Sequence, residues 1–266
     1  MQVASHAKIN WFLRVTRKRD DGFHDLETLF QTISLHDTLT FTPSNRLTLT
    51  CDDPAIPTGE SNLILRAARA LGTPPVAIEL RKRIPAGGGL GGGSSNAAAT
   101  LTALATMFGI ETPLHELALS LGSDVPFFLV GGTAYATGRG EELTPLRSAS
   151  GIPLLLVFPE ERVATPRAFG MLRRFSKPLG IERVRAMLDD DLLAHAADLT
   201  NDFEEPIFDE LPHLAEAKSA LYDLGAAWAG MSGSGSTIVA AFRSAADRDA
   251  ALARLTTVRA VAAETL

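Results

Sequence analysis

Residues 85–96 read Pro-Ala-Gly-Gly-Gly-Leu-Gly-Gly-Gly-Ser-Ser-Asn, and an alanine-rich segment from Ala97 to Met107 follows without a break. Glycine reaches positive φ and carries no Cβ, so such a run can lie directly against a ligand. The segment behind it has helical spacing in Ala97, Leu101, Leu104, Ala105 and Phe108. Ser94 or Ser95 is the expected N-cap, and Gly109 ends the run. A glycine loop that opens a helix presents free N–H groups at the positive end of a dipole, and both favour phosphate. A flexible linker is the competing reading. The charged strand-like run from Val76 to Ile84 in front and the strong helix behind speak against it. No Gly-Lys dipeptide occurs, so the loop is not a Walker loop. A GxGxxG pattern fits Gly87–Gly92 as it fits any glycine run, and it says nothing about dinucleotides.

The 266 residues leave room for one large domain or two small ones. A net charge of −6 argues against a nucleic-acid scaffold, which normally shows a basic stripe. Cys51 is the only cysteine, so neither an internal disulfide nor a cysteine metal cluster can form. The first residues have no basic or apolar leader pattern, and no apolar run is long enough for a bilayer. A cytoplasmic protein with no membrane and no nucleic-acid partner is expected.

From Lys8 to Val15 the apolar residues Ile9, Trp11, Leu13 and Val15 alternate, which is strand periodicity. Lys8, Asn10, Phe12 and Arg14 then share the other face. On pattern alone that face reads first as solvated and second as a site. Arg19-Asp20-Asp21-Gly22 is a turn. Strands are expected over 26–35, 37–42 and 46–50, a helix from Ser61-Asn62 to Leu71, and a strand from Val76 into the glycine loop. Thr112 as N-cap with Pro113 in the first turn opens another helix, closed by Gly122. Asp124 follows in Ser-Asp-Val-Pro-Phe-Phe, where a helix N-cap and a catalytic carboxylate are equally good readings. A hairpin surrounds Gly138-Arg139-Gly140.

The Ser148–Gly151 stretch divides the chain into 1–149 and 150–266. Beyond it the pattern predicts strands over 153–158, 226–231, 236–242 and 259–263. Helices are predicted around 165–174, 181–188, 191–199, 212–224 and 245–255. With the extra helices set aside this is β-α-β-β-α-β, a ferredoxin-like sandwich. Its central strands are joined by Ser232-Gly233-Ser234-Gly235-Ser236, which fits a tight hairpin and a second ligand loop equally well. The six histidines have no metal-ligand spacing.

Taken together, the N-terminal strand, the Pro-Ala-Gly-Gly-Gly-Leu-Gly-Gly-Gly-Ser-Ser loop and the Gly233-Ser234-Gly235 loop resemble the three motifs of the GHMP small-molecule kinases. Within that superfamily, three stretches are similar to the 4-diphosphocytidyl-2-C-methyl-D-erythritol kinases. They are Ala7-Lys8-Ile9-Asn10-Trp11-Phe12-Leu13, the run from Arg19 through Gly22-Phe23-His24 to Phe30, and Leu121-Gly122-Ser123-Asp124-Val125-Pro126-Phe127. The resemblance implies an α+β fold, with an N-terminal α/β ATP-binding kinase domain (1–149) and a ferredoxin-like C-terminal substrate or lid domain (150–266). It implies phosphorylation of the 2-hydroxyl of a cytidine diphosphate-linked methylerythritol, with ATP and Mg²⁺ and no protein metal ligand singled out.

Carried over by position, it implies that Pro85, Ala86, Gly87, Gly88, Gly89, Leu90, Gly91, Gly92, Gly93, Ser94 and Ser95 wrap the phosphates. The Ser94 and Ser95 hydroxyls then lie near phosphate or Mg²⁺, and Asn62 near the adenine. Gly233, Ser234 and Gly235 buttress the phosphate loop. Lys8 and Asp124 form the catalytic pair, Asn10 and His24 contact substrate, and Phe23 and Phe169 sandwich the cytosine. The family usually has Tyr at position 23; Phe keeps the π-face and loses a hydroxyl. A sister kinase for homoserine or phosphomevalonate would not need the Gly22-Phe23-His24 segment. A catalytically silent nucleotide-binding regulator would not need Lys8 and Asp124 intact.

Overall fold

Alternation over residues 8–15 does not separate a wet face from a dry one. In the computed structural model, which describes Met1–Leu266, strand β1 (Gln2–Lys18) buries both sides. Ile9, Trp11 and Val15 are buried, and so are Phe12, Lys8 and Asn10 on the opposite face. The solvated-face reading fails because the chain covers both sides of this strand, which periodicity cannot reveal.

Strand β2 (His24–Pro43) is one uninterrupted element of 20 residues, where two strands were expected. It changes partner along its length. Thr28–Gln31 pair with β5 (Thr133–Thr137), and Thr38–Pro43 pair with β4 (Val76–Arg81), both antiparallel. Strand β3 (Thr48–Cys51) lies parallel to β4, and β6 (Glu142–Pro145) completes the expected hairpin with β5.

By packing, the chain forms two compact units. The first comprises Met1–Ala7, Leu35–Ala86 and Gly91–Gly131, and the second Lys8–Ser34, Gly87–Leu90 and Gly132–Leu266. In the first unit, α1 (Leu63–Leu71) and α2 (Gly92–Phe108) cover the sheet through a core that includes Phe41, Ile64, Leu65, Ile78, Leu80 and Leu104. Helix α1 starts where the sequence places it. Asn62 Oδ1 accepts from Ile64 N at 2.9 Å, and Gly72 ends the helix at φ 69°.

Helix α2 does not start where a serine cap was expected. Its N-cap is Gly91 at φ 69°, so Gly92, Gly93, Ser94 and Ser95 form the first turn. Packing explains the difference. A Cβ on Gly92 would stand 3.0 Å from an Ile84 methyl, so the turn that packs against this residue, just past the end of β4, favours glycine despite its helix cost of about 1 kcal/mol. Helix α3 (Leu114–Leu121) is capped by Pro113 rather than Thr112, because Pro113 is still extended at ψ 116°. The short helix α4 (Phe127–Val130) has Pro126 at its N-cap and no side-chain cap, so Asp124 does not cap it.

In the second unit, β7 (Pro153–Phe158), β8 (Trp228–Met231), β9 (Ile238–Ala241) and β10 (Arg259–Glu264) form an antiparallel sheet in the order β10-β7-β9-β8. This is the ferredoxin-like order expected from β-α-β-β-α-β. Helices α5 (Thr165–Met171), α6 (Ile181–Asp189), α7 (Glu204–Glu210), α8 (Pro212–Asp223) and α9 (Ala245–Arg254) accompany it. Residues 191–199 yield only a 3₁₀ turn at Leu192–His195, and α7 was not expected at all. The core of this unit draws Leu13 and Val15 from β1 to Phe203, Ile207, Leu214, Leu221 and Phe242.

Candidate active site

The glycine loop and the Ser232–Ser236 turn meet inside the second unit. Gly87 and Gly89 sit at φ 72° and 78°, and a Cβ on Gly89 would run into the Ser232 carbonyl oxygen. Ser232 Oγ donates to the Gly89 carbonyl at 3.0 Å, and Thr237 N reaches the Gly88 carbonyl at 3.4 Å. A Cβ on Gly233 would in turn stand 3.0 Å from the Gly89 carbonyl oxygen. The Ser-Gly-Ser-Gly-Ser segment is therefore a hairpin turn that also abuts the first glycine loop. Ser234 Oγ lies 3.0 Å from Thr165 Oγ1, at the start of α5.

Lys8 and Asn10 join the same cluster. Lys8 N donates to the Leu90 carbonyl at 3.1 Å, and its Nζ donates to Asn10 Oδ1 at 2.6 Å while lying 5.1 Å from the Phe30 ring centre. Asn10 Oδ1 also accepts from Gly233 N at 3.0 Å, and its Nδ2 donates to Thr28 Oγ1 at 2.8 Å. One buried amide thus links the lysine, the third-motif turn and β2.

Phe169, on α5, stacks on His24 with ring centres 4.7 Å apart and planes 18° off parallel; Phe203 meets it edge-on at 4.9 Å. His24 is thus the ring stacked on Phe169 in the structure. Burial, followed by the charge of Lys18, lowers the His24 pKa below the ordinary histidine value. Phe23 is 52% exposed, with the Arg139 guanidinium 4.8 Å from its ring centre.

The remaining predicted residues lie in the first unit. Pro85 and Ala86 lead into the loop. The αL cap at Gly91 leaves the first amides of α2 without a side-chain acceptor. Ser95 turns inward, donating to the His6 carbonyl at 2.6 Å with Ser5 Oγ at 2.7 Å, whereas Ser94 is half-buried with no protein partner. Both polar ends of Asn62 are in use, on Ile64 N and on the Pro57 carbonyl at 2.6 Å. Asp124 is half-buried between α3 and α4.

Sequence reasoning missed a clamp on this loop. Asp37, inaccessible on β2, accepts from Arg83 N and Ile84 N at 2.7 and 2.8 Å just before the loop, and from Asn96 Nδ2 at 3.1 Å just after it. Lys82 Nζ completes the set at 2.6 Å. A lone Asp within an otherwise strand-like run was the only signal. Glu27 was missed likewise. It is buried and accepts from Tyr135 OH and from the amides of Leu179 and Gly180; burial, with Glu27 adding to it, raises the Tyr135 pKa.

The arrangement suits phosphate. In the second unit Gly87 and Gly89 take positive φ, Gly89 with no room for a side chain, and in the first α2 opens on amides that no side chain caps. No group of three or more His, Cys, Asp or Glu side chains could hold a metal ion. No helix is long and apolar enough to cross a membrane.

Comparison with known proteins agrees with this geometry. Residues 62–132 match the GHMP kinases N terminal domain and residues 183–259 the GHMP kinases C terminal domain. The chain is 42% identical over 259 residues to a 4-diphosphocytidyl-2-C-methyl-D-erythritol kinase of Chlorobaculum parvum, covering 93% of this chain and 91% of that one. Against the protein of the same name from Salinibacter ruber it is 41% identical over 265 residues, with 94% and 92% covered. Among solved structures, a 4-(cytidine 5'-diphospho)-2C-methyl-D-erythritol kinase superposes with a TM-score of 0.85 at 37% identity, covering 100% and 99% of the two chains. A homoserine kinase from Cytophaga hutchinsonii shares the fold, at a TM-score of 0.66 and 19% identity over 98% and 95%. The chain belongs to the 4-diphosphocytidyl-2-C-methyl-D-erythritol kinase family of the GHMP kinases.

Proposed function

We propose that this chain transfers the γ-phosphoryl group of ATP to the 2-hydroxyl of 4-diphosphocytidyl-2-C-methyl-D-erythritol, in the non-mevalonate route to isoprenoid precursors. The observation that carries the reading is the cluster in which Lys8, Asn10, Gly233 and the Gly89 peptide are tied together, in a chain about 40% identical to kinases of that name.

Phosphoryl transfer asks a protein mainly for positioning and for charge neutralisation, because the transition state is loose and its charge sits on the γ-phosphoryl oxygens. Residues 85–95 hold the phosphates through backbone amides, and Ser94 offers a hydroxyl. Mg²⁺, when bound with the nucleotide, supplies the remaining neutralisation. Lys8 orients the acceptor oxygen, and Asp124 takes its proton as general base. Phe169, Phe23, His24 and Asn10 receive the cytidyl end, with a base stacking on the aromatic faces. Asn62 lies by the adenine. In this reading residues 1–149 carry the nucleotide, 150–266 form the substrate or lid part, and the enzyme works in the cytoplasm.

The test is ADP release from Mg·ATP with the cytidyl substrate offered beside homoserine and mevalonate. Turnover with the cytidyl substrate alone is expected. Asp124→Asn should cut kcat by about a hundredfold or more while Mg·ATP still binds. Turnover only with another alcohol would remove the cytidyl pocket, and a wild-type kcat in Asp124→Asn would remove the base.

A further inference from the structure

Four consecutive residues outside the three motifs, Asn201-Asp202-Phe203-Glu204, hold the parts of the second unit that the motifs use. Asn201 is 8% exposed, and its Nδ2 donates to the Met231 carbonyl at 2.7 Å and to the Gly233 carbonyl at 2.8 Å. Its Oδ1 accepts from Phe203 N at 3.0 Å. Both N–H bonds and the oxygen of this amide are therefore in use. Glu204 Oε1 takes the Met231 N–H at 2.7 Å, so the peptide groups leading into the turn are held from one segment. That segment is fixed against β1 by Leu13 N on the Thr200 carbonyl and Asp202 N on the Leu13 carbonyl.

The turn needs such a hold. It contains Gly233 at φ 56° and Gly235 at φ 87°, and glycine has the most backbone freedom to lose. We propose that Asn201 is a positioning residue for phosphoryl transfer. By fixing the carbonyl of Met231, at the end of β8, and that of Gly233, in the turn, it sets the Gly233 N–H that anchors Asn10 and through it Lys8, and it sets Ser232 against Gly89 of the phosphate loop. This rests on the reading that the glycine loop holds nucleotide phosphates.

Calorimetric titration of the whole protein with Mg·ATP, without acceptor, tests it. Asn201→Asp keeps the shape and the oxygen that receives Phe203 N–H, but sets an oxygen against both carbonyls. The Kd for Mg·ATP is expected to rise about tenfold or more, at roughly 1 kcal/mol for each bond lost. Asp202→Asn is the comparison. That carboxylate serves Val15 N and Ser176 Oγ and touches no part of the turn, so its Kd should stay within about threefold of wild type at a similar loss of Tm. Ser232→Ala removes only the bond to Gly89. It should weaken binding severalfold and add little on top of Asn201→Asp, since both act through one turn.

Should Asn201→Asp fail to fold, Ser232→Ala carries the test. The inference is overturned if a folded Asn201→Asp leaves Kd unchanged, if Ser232→Ala leaves it unchanged where it stands in, or if Asp202→Asn moves it as much. A wild type that binds Mg·ATP yet ignores the cytidyl substrate would sink the substrate assignment alone. One that binds no Mg·ATP would sink the phosphate-loop reading and this inference together.

Discussion

A histidine flat against a phenylalanine loses water on one face, and losing water costs an imidazolium more than an imidazole. That is the position of His24 on Phe169, and its pKa is lowered by that burial, with Lys18 adding to it. The sign of the linkage follows. Below the ordinary histidine pKa of about 6.5 the unfolded chain takes up a proton that folded His24 resists. Its contribution to stability is fully present above that pH and is lost as pH falls from there through the lower folded value. Phe169→Ala uncovers the ring, so the His24 titration followed by NMR should move up toward the ordinary value. The same variant should raise KM for the cytidyl substrate roughly fivefold to a hundredfold, since stacking on a base is worth about 1–3 kcal/mol. A His24 titration left where it was would show that the stack does not govern its charge; an unchanged KM would take Phe169 out of the base site. His24, Lys8 and Asn10 were legible because each sits in a motif. Asp37, Glu27 and Asn201 were not, because their partners are largely backbone groups 30 to 152 residues away, and no local pattern records such a bond.

Elements were legible where local chemistry decides them and illegible where packing does. Asn62 and Gly72 delimit α1 by capping alone, and the β5–β6 hairpin follows from its glycines. By contrast, the first turn of α2 is set by contact with Ile84, and the hidden second face of β1 by what covers it. Strand β2 joins these cases, since its polar midsection reads as a break and is in fact the place where Asp37 grips both ends of the glycine loop. The Asp37 and Lys82 side chains are 0% and 7% exposed. Breaking a buried pair leaves an unmatched charge and costs about 3–5 kcal/mol. Asp37→Asn keeps an oxygen for Arg83 N and Ile84 N but strands the Lys82 ammonium. Urea unfolding should therefore show a loss of that size, with weaker Mg·ATP binding. A loss under about 1 kcal/mol would mean that the ammonium finds water or another acceptor, and that the loop does not depend on the clamp.

At the scale of the whole molecule, the order of motifs along the chain and the order of packing differ. The sheet order β10-β7-β9-β8 was legible from β-α-β-β-α-β, but the residues that complete its core were not. Leu13 and Val15, from β1, lie in the same apolar cluster as Phe203, Ile207 and Leu221. Trp11 packs on Trp228 with ring centres 5.0 Å apart, and Asp202 receives Val15 N at 2.7 Å. A fragment of residues 150–266 would therefore keep all four strands of the sheet yet expose the surface that β1 covers. Burial of a Leu, Val or Trp side chain is worth about 1.5–3 kcal/mol each, and a domain's net stability is only about 5–15 kcal/mol, so losing three of them removes most of it. The fragment is expected to give a broad, poorly dispersed NMR spectrum and no cooperative melt, while addition of a peptide spanning residues 8–34 should restore part of both. A fragment that melts cooperatively by itself would show that the division at 149/150 is also a folding boundary, and that β1 binds to a sheet already formed without it.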